Sequence, residues 1–224
     1  MRWPFDSPLY NAISLYGAAG ADTLRGSSAG DSLYGAAGND TLQGGAGNDS
    51  LSAGDDDDLV EGGVGNDLLV GSGGNDTYRF SLGDGQDVVR EIADFNSGWG
   101  GYDTIQFEAG ITPDMITVAQ ADYGQDLILA IDGTGDQITI DQTMVSGDYR
   151  IEQVRFADGT VWTHEQLVQM SNQSGGMAMA DSGSSKRVVL LGDPLGASTS
   201  EEFANGLYPI SPSGPFQPYD YLWA

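Results

Sequence analysis

A nine-residue period runs through residues 17–79 without an insertion, and it constrains the fold more than any other feature of the chain. In each of the seven blocks the sixth residue is aspartate and the eighth is apolar. Glycines concentrate at the first, second and fourth positions, where they permit positive φ and close backbone approach. The blocks begin at Gly17, Gly26, Gly35, Gly44, Ala53, Gly62 and Gly71, and their sixth residues are Asp22, Asp31, Asp40, Asp49, Asp58, Asp67 and Asp76.

Each block predicts a tight turn followed by a three-residue strand with one inward apolar side chain. A single block cannot bury that side chain, but stacked blocks share a continuous core. Two blocks then make one coil, and equivalent turns recur every eighteen residues. The aspartates would therefore form two stacks: Asp22, Asp40, Asp58 and Asp76 on one edge, and Asp31, Asp49 and Asp67 on the other.

The blocks resemble the RTX nonapeptide, Gly-Gly-x-Gly-x-Asp-x-U-x, in which U is a large apolar residue. The best copies begin at Gly44 and Gly62. The resemblance implies an all-β fold, a right-handed parallel β-roll, with calcium ions between adjacent turns. It also implies that the ions are held by the sixth-position aspartates and by turn carbonyls, including those of Gly17, Gly26, Gly35, Gly44, Gly62 and Gly71.

Acidic glycine-rich turns suit calcium because this ion takes six to eight hard oxygen ligands. The two aspartate stacks leave five gaps between consecutive turns. A displaced eighth turn, Gly83–Asp87, follows a two-residue insertion, and Asp87 adds a sixth gap if it stacks on Asp67. We therefore expect about five or six Ca²⁺. Residues 17–79 hold eleven carboxylates against two arginines, so we expect this segment to fold only as calcium binds.

Beyond residue 80 strand patterns replace the repeat, and a capping box of Thr163 and Gln166 predicts a short helix to about Met170. This region resembles the β-rich domain that often closes RTX arrays, through the segments 83–87, 102–105 and 149–160. Such a cap would cover the open end of a parallel stack. The expected organisation is a lead-in at 1–16, the β-roll at 17–80, a smaller β-rich cap at 81–170 and a mostly disordered tail at 171–224.

The composition disfavours several classes of function. The formal net charge is −25, which disfavours binding to nucleic acid or anionic membranes and favours cations. There is no cysteine, hence no thiolate metal site, and no apolar run approaches the length of a membrane span. The first ten residues lack the basic region followed by an apolar stretch that is typical of a signal peptide. The family resemblance instead suggests a type I secretion apparatus as partner, with residues 171–224 either its uncleaved signal or an ordinary disordered tail.

No catalytic motif stands out. The pair His164-Glu165 opens like a zinc-protease helix, but Val168 occupies the place of the second histidine. The segment Gly26–Gly30 matches the sequence pattern of a nucleophile elbow, Gly-x-Ser-x-Gly, but that elbow needs a strand before it and a helix after it. Here the segment is simply part of the second nonapeptide. We therefore expect a monomeric, non-catalytic, secreted calcium-binding module. Two alternatives stay open: the C-terminal module of a larger protease, lipase or haemolysin, and a spacer of a surface adhesin.

Overall fold

A computed structural model of the chain describes residues 11–92, 101–121, 125–141 and 150–174. The predicted tail lies outside these ranges from residue 175 onward, as do the first ten residues of the lead-in. Residues 93–100, where Asn96-Ser97-Gly98 is a turn signal in the sequence, lie outside them too.

Two facing sets of strands dominate the described residues. One sheet has eight strands in the order β1-β3-β5-β7-β9-β13-β12-β11, and the other has seven in the order β15-β14-β10-β8-β6-β4-β2. The strands are β1 Ser14–Tyr16, β2 Thr23–Arg25, β3 Ser32–Ala37, β4 Thr41–Ala46, β5 Ser50–Asp55, β6 Leu59–Val64, β7 Leu68–Gly73, β8 Thr77–Phe80, β9 Gln86–Arg90, β10 Thr104–Phe107, β11 Ile116–Ala121, β12 Asp126–Ile131, β13 Gln137–Asp141, β14 Gln153–Arg155 and β15 Val161–Thr163. A 3₁₀ turn spans Pro113–Met115, and helix α1 spans His164–Ser174.

The nine-residue period becomes a strict alternation between the two sheets. Successive blocks send their strands to opposite sheets, and each strand pairs in parallel with the strand two blocks later. Leu33 therefore lies beside Leu51, and Leu42 beside Val60, at a spacing of eighteen residues. The predicted all-β fold of stacked parallel strands is confirmed.

The apolar eighth position supplies the core between the sheets. From the second block to the seventh, its side chain is fully buried. A strand that pairs on both sides and buries one face needs only one large apolar side chain per block to seal the interior. These side chains are Leu33, Leu42, Leu51, Val60, Leu69 and Tyr78.

The strands are longer than the sequence predicts. From β3 to β7 each has six residues, because it continues through the first three residues of the following block. The glycine that opens a block there lies in a strand and not in a turn. Positive φ falls at the second and fourth positions, where Ala36, Asp56 and Ser72 also adopt it. The turn between two strands is therefore shorter than predicted. The opening glycine is not required for a positive φ.

The region after residue 80 extends both sheets. Strand β9 pairs in parallel with β7 at a spacing of twenty residues, and β10 pairs in parallel with β8. Antiparallel pairing then takes over: β13 to β12 to β11 in one sheet, and β14 to β15 in the other. The packed rings of Phe107, Phe156 and Trp162 fill the interior of this end.

The terminal helix begins where the capping box predicts. The Gln166 side chain accepts from the Thr163 N–H at 2.8 Å, and Thr163 Oγ1 accepts from the Gln166 N–H at 3.4 Å. The helix extends four residues beyond the predicted end at Met170. None of the helices in the described ranges is long and apolar enough to cross a membrane.

The core predicts a sharp contrast between two neighbouring leucines. Leu69 is fully buried, while Leu68 beside it in β7 is only partly buried. We expect Leu69→Ala to lower the free energy of unfolding by about 2–5 kcal/mol, because it leaves a cavity that the stacked strands cannot close. Leu68→Ala should lower it by about 1 kcal/mol or less. Urea unfolding in saturating calcium measures both, and equal losses would contradict this account of the core.

Candidate metal-binding site

Two ladders of aspartates run along the two edges of the strand stack. In each ladder the Oδ1 atom of one aspartate accepts the backbone N–H of the aspartate one coil earlier, at 2.6–2.9 Å. The first ladder contains Asp22, Asp40, Asp58, Asp76 and Asp103. The second contains Asp31, Asp49, Asp67 and Asp87.

The second carboxylate oxygen is left without a partner along most of both ladders. The aspartates concerned are buried, with only 1–4 % of each residue exposed to solvent. A buried carboxylate oxygen that makes no hydrogen bond carries a full desolvation penalty. The oxygens concerned are Oδ2 of Asp40, Asp49, Asp58, Asp67 and Asp76. At the N-terminal end the situation differs, because Oδ2 of Asp22 and of Asp31 accepts a backbone N–H of its own turn.

The opening glycines make room for these unpaired oxygens. A Cβ built on Gly35 would collide with Oδ2 of Asp40 and with the carbonyl oxygen of Ala53, one coil further on. At Gly44 the same two groups are Asp49 and the carbonyl of Gly62. Each such glycine therefore lies where a carboxylate and a carbonyl from adjacent coils converge. A Cβ on the predicted residues Gly26, Gly62 and Gly71 would likewise collide with Oδ2 of the aspartate in the same block, and one on Gly17 would lie 3.0 Å from Asp22 Oδ2.

Burial disfavours the charged form of the stacked carboxylates. Burial, together with negative charges nearby, raises the pKa of Asp58 and Asp76 to about 7. Burial likewise raises the pKa of Asp49 and Asp67 to about 6, and that of Asp87 to about 7. A ladder of closely spaced carboxylates at neutral pH therefore needs bound protons or bound cations.

The donor set fits calcium. Carboxylate and carbonyl oxygens are hard ligands, and calcium accepts more of them, in a less regular arrangement, than magnesium does. When bound, the ion supplies the positive charge that the buried carboxylates lack. The sixth-position aspartates would provide the carboxylate oxygens and the turns would provide carbonyls. Their individual roles as ligands, and the number of ions, stay predictions.

The first ladder continues past the repeats through two residues that the sequence analysis did not propose as ligands. Asp103 accepts from Asp76, and Glu152 Oε2 accepts from the Asp103 N–H at 2.8 Å. The segment Asp103-Thr104-Ile105 repeats the Asp-x-apolar pattern of a nonapeptide, but its spacing of 27 residues from Asp76 is one and a half coils and would have placed Asp103 on the other edge. Nothing in the sequence singles out Glu152. Asp87 stacks on Asp67 through a 2.9 Å hydrogen bond.

The fold and these ladders define a class of protein, a repetitive β-roll whose turns carry stacked acidic sites. Family models agree with that class. The RTX calcium-binding nonapeptide repeat matches residues 16–51, 43–78 and 52–89, and the haemolysin-type calcium binding protein related domain matches residues 126–166. Residues 16–89 are therefore RTX calcium-binding nonapeptide repeats, and a haemolysin-type calcium-binding related domain follows them in the same chain.

Among solved structures, the chain is similar to the solution structure of the AlgE6R3 subunit of the Azotobacter vinelandii mannuronan C5-epimerase. Identity is 22%, the match covers 80% of this chain and 93% of that one, and the TM-score is 0.23. No curated protein sequence matches the chain.

The raised pKa values predict that acid partly replaces calcium. A carboxylate whose folded-state pKa is raised stabilises the fold fully below its unfolded value, near 3.8, and loses that contribution as pH rises through about 6–7. In chelator, the chain should therefore gain far-UV circular dichroism of β-type as pH falls from 7.5 toward 5. A calcium-free chain whose β-signal is unchanged or weaker at pH 5 would contradict this prediction.

Proposed function

We propose that this chain is a calcium-binding module that leaves a bacterial cell unfolded and folds outside it as calcium fills the two ladders. The observation that carries the proposal is the set of five buried Oδ2 atoms without a hydrogen-bond partner. They lie at the sixth position of five successive blocks, and those of Asp40, Asp49, Asp67 and Asp76 lie beside the opening glycine of their own block. Isolated defects of packing would not repeat in this way.

Coupling between folding and binding follows from the charges. In the unfolded chain the carboxylates are hydrated and far apart, whereas folding buries them and stacks them one coil apart. Without a cation that arrangement is unfavourable, so ion binding and folding are one equilibrium. The chain then stays unfolded where calcium is scarce. It folds at extracellular calcium, for which modules of this kind have dissociation constants of about 10⁻⁴–10⁻³ M.

Each part of the chain has its own role in this function. Residues 17–80 bind calcium as a β-roll, and residues 81–170 cap it. The antiparallel strands β11 and β15 support this role, because they end the two sheets. We propose residues 171–224 as the segment that addresses the chain to a type I secretion apparatus. The exported chain acts as a monomer through calcium binding alone, without catalysis.

A calcium titration followed by far-UV circular dichroism tests the proposal at neutral pH, with magnesium as the control ion. We expect a cooperative gain of β-signal with calcium and little with magnesium, because magnesium keeps its water and demands a regular octahedron. A chain that is fully folded in chelator at pH 7.5, or that responds equally to both ions, would refute calcium-driven folding.

The four consecutive aspartates 55–58 offer a matched pair of variants. Asp58 is a buried ladder residue, whereas its neighbour Asp57 is exposed and accepts from the Asn75 backbone N–H at 2.8 Å. We expect Asp58→Asn to raise the calcium concentration at the folding midpoint several-fold, because it removes a ladder charge. Asp57→Asn keeps an oxygen acceptor for Asn75 and should leave the midpoint nearly unchanged. Equal shifts would mean that overall charge, and not the ladder, sets the affinity.

A further inference from the structure

Three buried carboxylates meet where the repeats end. Asp76 precedes β8, Glu91 follows β9, and Asp103 precedes β10. Their residues are only 1–2 % exposed, and one carboxylate oxygen from each lies within 4.8 Å of the other two. Glu91 belongs to neither aspartate ladder and follows a strand of the opposite sheet. The cluster therefore joins the two sheets, whereas each ladder runs along one edge.

The protein satisfies only part of this cluster. Asp76 Oδ1 accepts from the Asp58 N–H, but Asp76 Oδ2 is buried without a partner. Glu91 accepts from the Tyr78 hydroxyl through Oε1 and from the Ser72 N–H through Oε2, the latter at 3.3 Å. Asp103 Oδ1 accepts from the Asp76 N–H at 2.8 Å.

The unpaired oxygen of Asp76 lies near the Tyr78 hydroxyl. A Cβ built on Gly71 would collide with both Asp76 Oδ2 and the Tyr78 hydroxyl, so these two oxygens lie on the same side of that glycine. The Tyr78 hydroxyl in turn contacts Glu91 Oε1. Gly71 thus leaves open the space in which oxygens of Asp76, Tyr78 and Glu91 converge.

No positive side chain neutralises this cluster in the ion pairs of the described residues. Arg79 pairs with Glu61 and Glu108, Arg90 with Asp141, and Arg150 with Glu152. Three buried like charges at this separation repel strongly and lose hydration without compensation. Burial also holds the pKa of Glu91 well above its usual value and raises that of Asp103 to about 8.

We infer that Asp76, Glu91 and Asp103 bind a calcium ion at the junction between the last repeat and the cap. The ligands are carboxylate oxygens, which favours a hard divalent cation. The inference rests on the proposed calcium-dependent fold, since the three residues come together only in the folded chain. The ion would tie the end of β9 in one sheet to the starts of β8 and β10 in the other.

The number of ions bound by the full-length chain tests the site. Equilibrium dialysis against radioactive calcium at saturation compares wild type with Glu91→Gln, which keeps one oxygen acceptor and removes the charge. We expect Glu91→Gln to bind one ion fewer per chain while keeping the wild-type β-signal. The control is Glu61→Gln, a partly exposed glutamate of β6 outside the cluster, which should bind the wild-type number.

The outcomes separate this inference from the proposed function. If wild type binds no calcium, the proposed function fails. If wild type binds calcium and Glu91→Gln binds the same number, the junction site fails alone, and bound protons account for the cluster. If Glu91→Gln does not fold, anomalous scattering from calcium-loaded crystals of the wild-type chain decides. A peak among the three carboxylates supports the site, and an empty cluster beside filled ladders overturns it.

Discussion

The hydrogen bond from the backbone N–H of one aspartate to the Oδ1 of the next aspartate in its ladder underlies the rest of the structure. It fixes the register between coils, because each coil can donate to the next only if equivalent residues lie opposite one another. From Asp40 and Asp49 onward it uses the Oδ1 of each ladder aspartate, and in five of these aspartates it leaves Oδ2 without a partner. The contact that stacks the coils therefore creates the unsatisfied oxygens, so stacking and cation binding are not separable properties of this sequence.

That constraint explains which parts of the fold the sequence could predict. A strict period with aspartate and an apolar residue two positions apart specifies coil length, the inward side chain and the stacking partner. The spacing of twenty between Asp67 and Asp87 could be accommodated because the extra residues fall in the connection after β8. The prediction of strand length was wrong, because glycine usually weakens a strand and was therefore assigned to the turn. Here the opening glycine lies within a strand, where it allows the backbone to pass close to a carboxylate and a carbonyl.

Residues beyond the period were harder to find because their partners are set by the fold and not by spacing. Glu152 lies 49 residues from Asp103 and Glu91 lies 13 from Tyr78, and no local pattern links either pair. Such contacts depend on how the antiparallel strands return to the end of the stack. A ligand contributed by a repeat can be predicted from one block, whereas a ligand contributed by a cap requires the assembled sheets.

The end of the array is where a repetitive stack is physically weakest, because its last coil has only one neighbour. Here the first ladder continues beyond the last nonapeptide. The Asp76 N–H donates to Asp103, and the Asp103 N–H donates to Glu152. Glu91 brings the opposite sheet to the same place, through its contact with the Tyr78 hydroxyl. A cation held by this junction would require the last coil and the cap to be formed together. Ion binding there would then stabilise the end from which the preceding coils can stack, so the cap would take part in calcium-dependent folding and would do more than cover exposed strand edges.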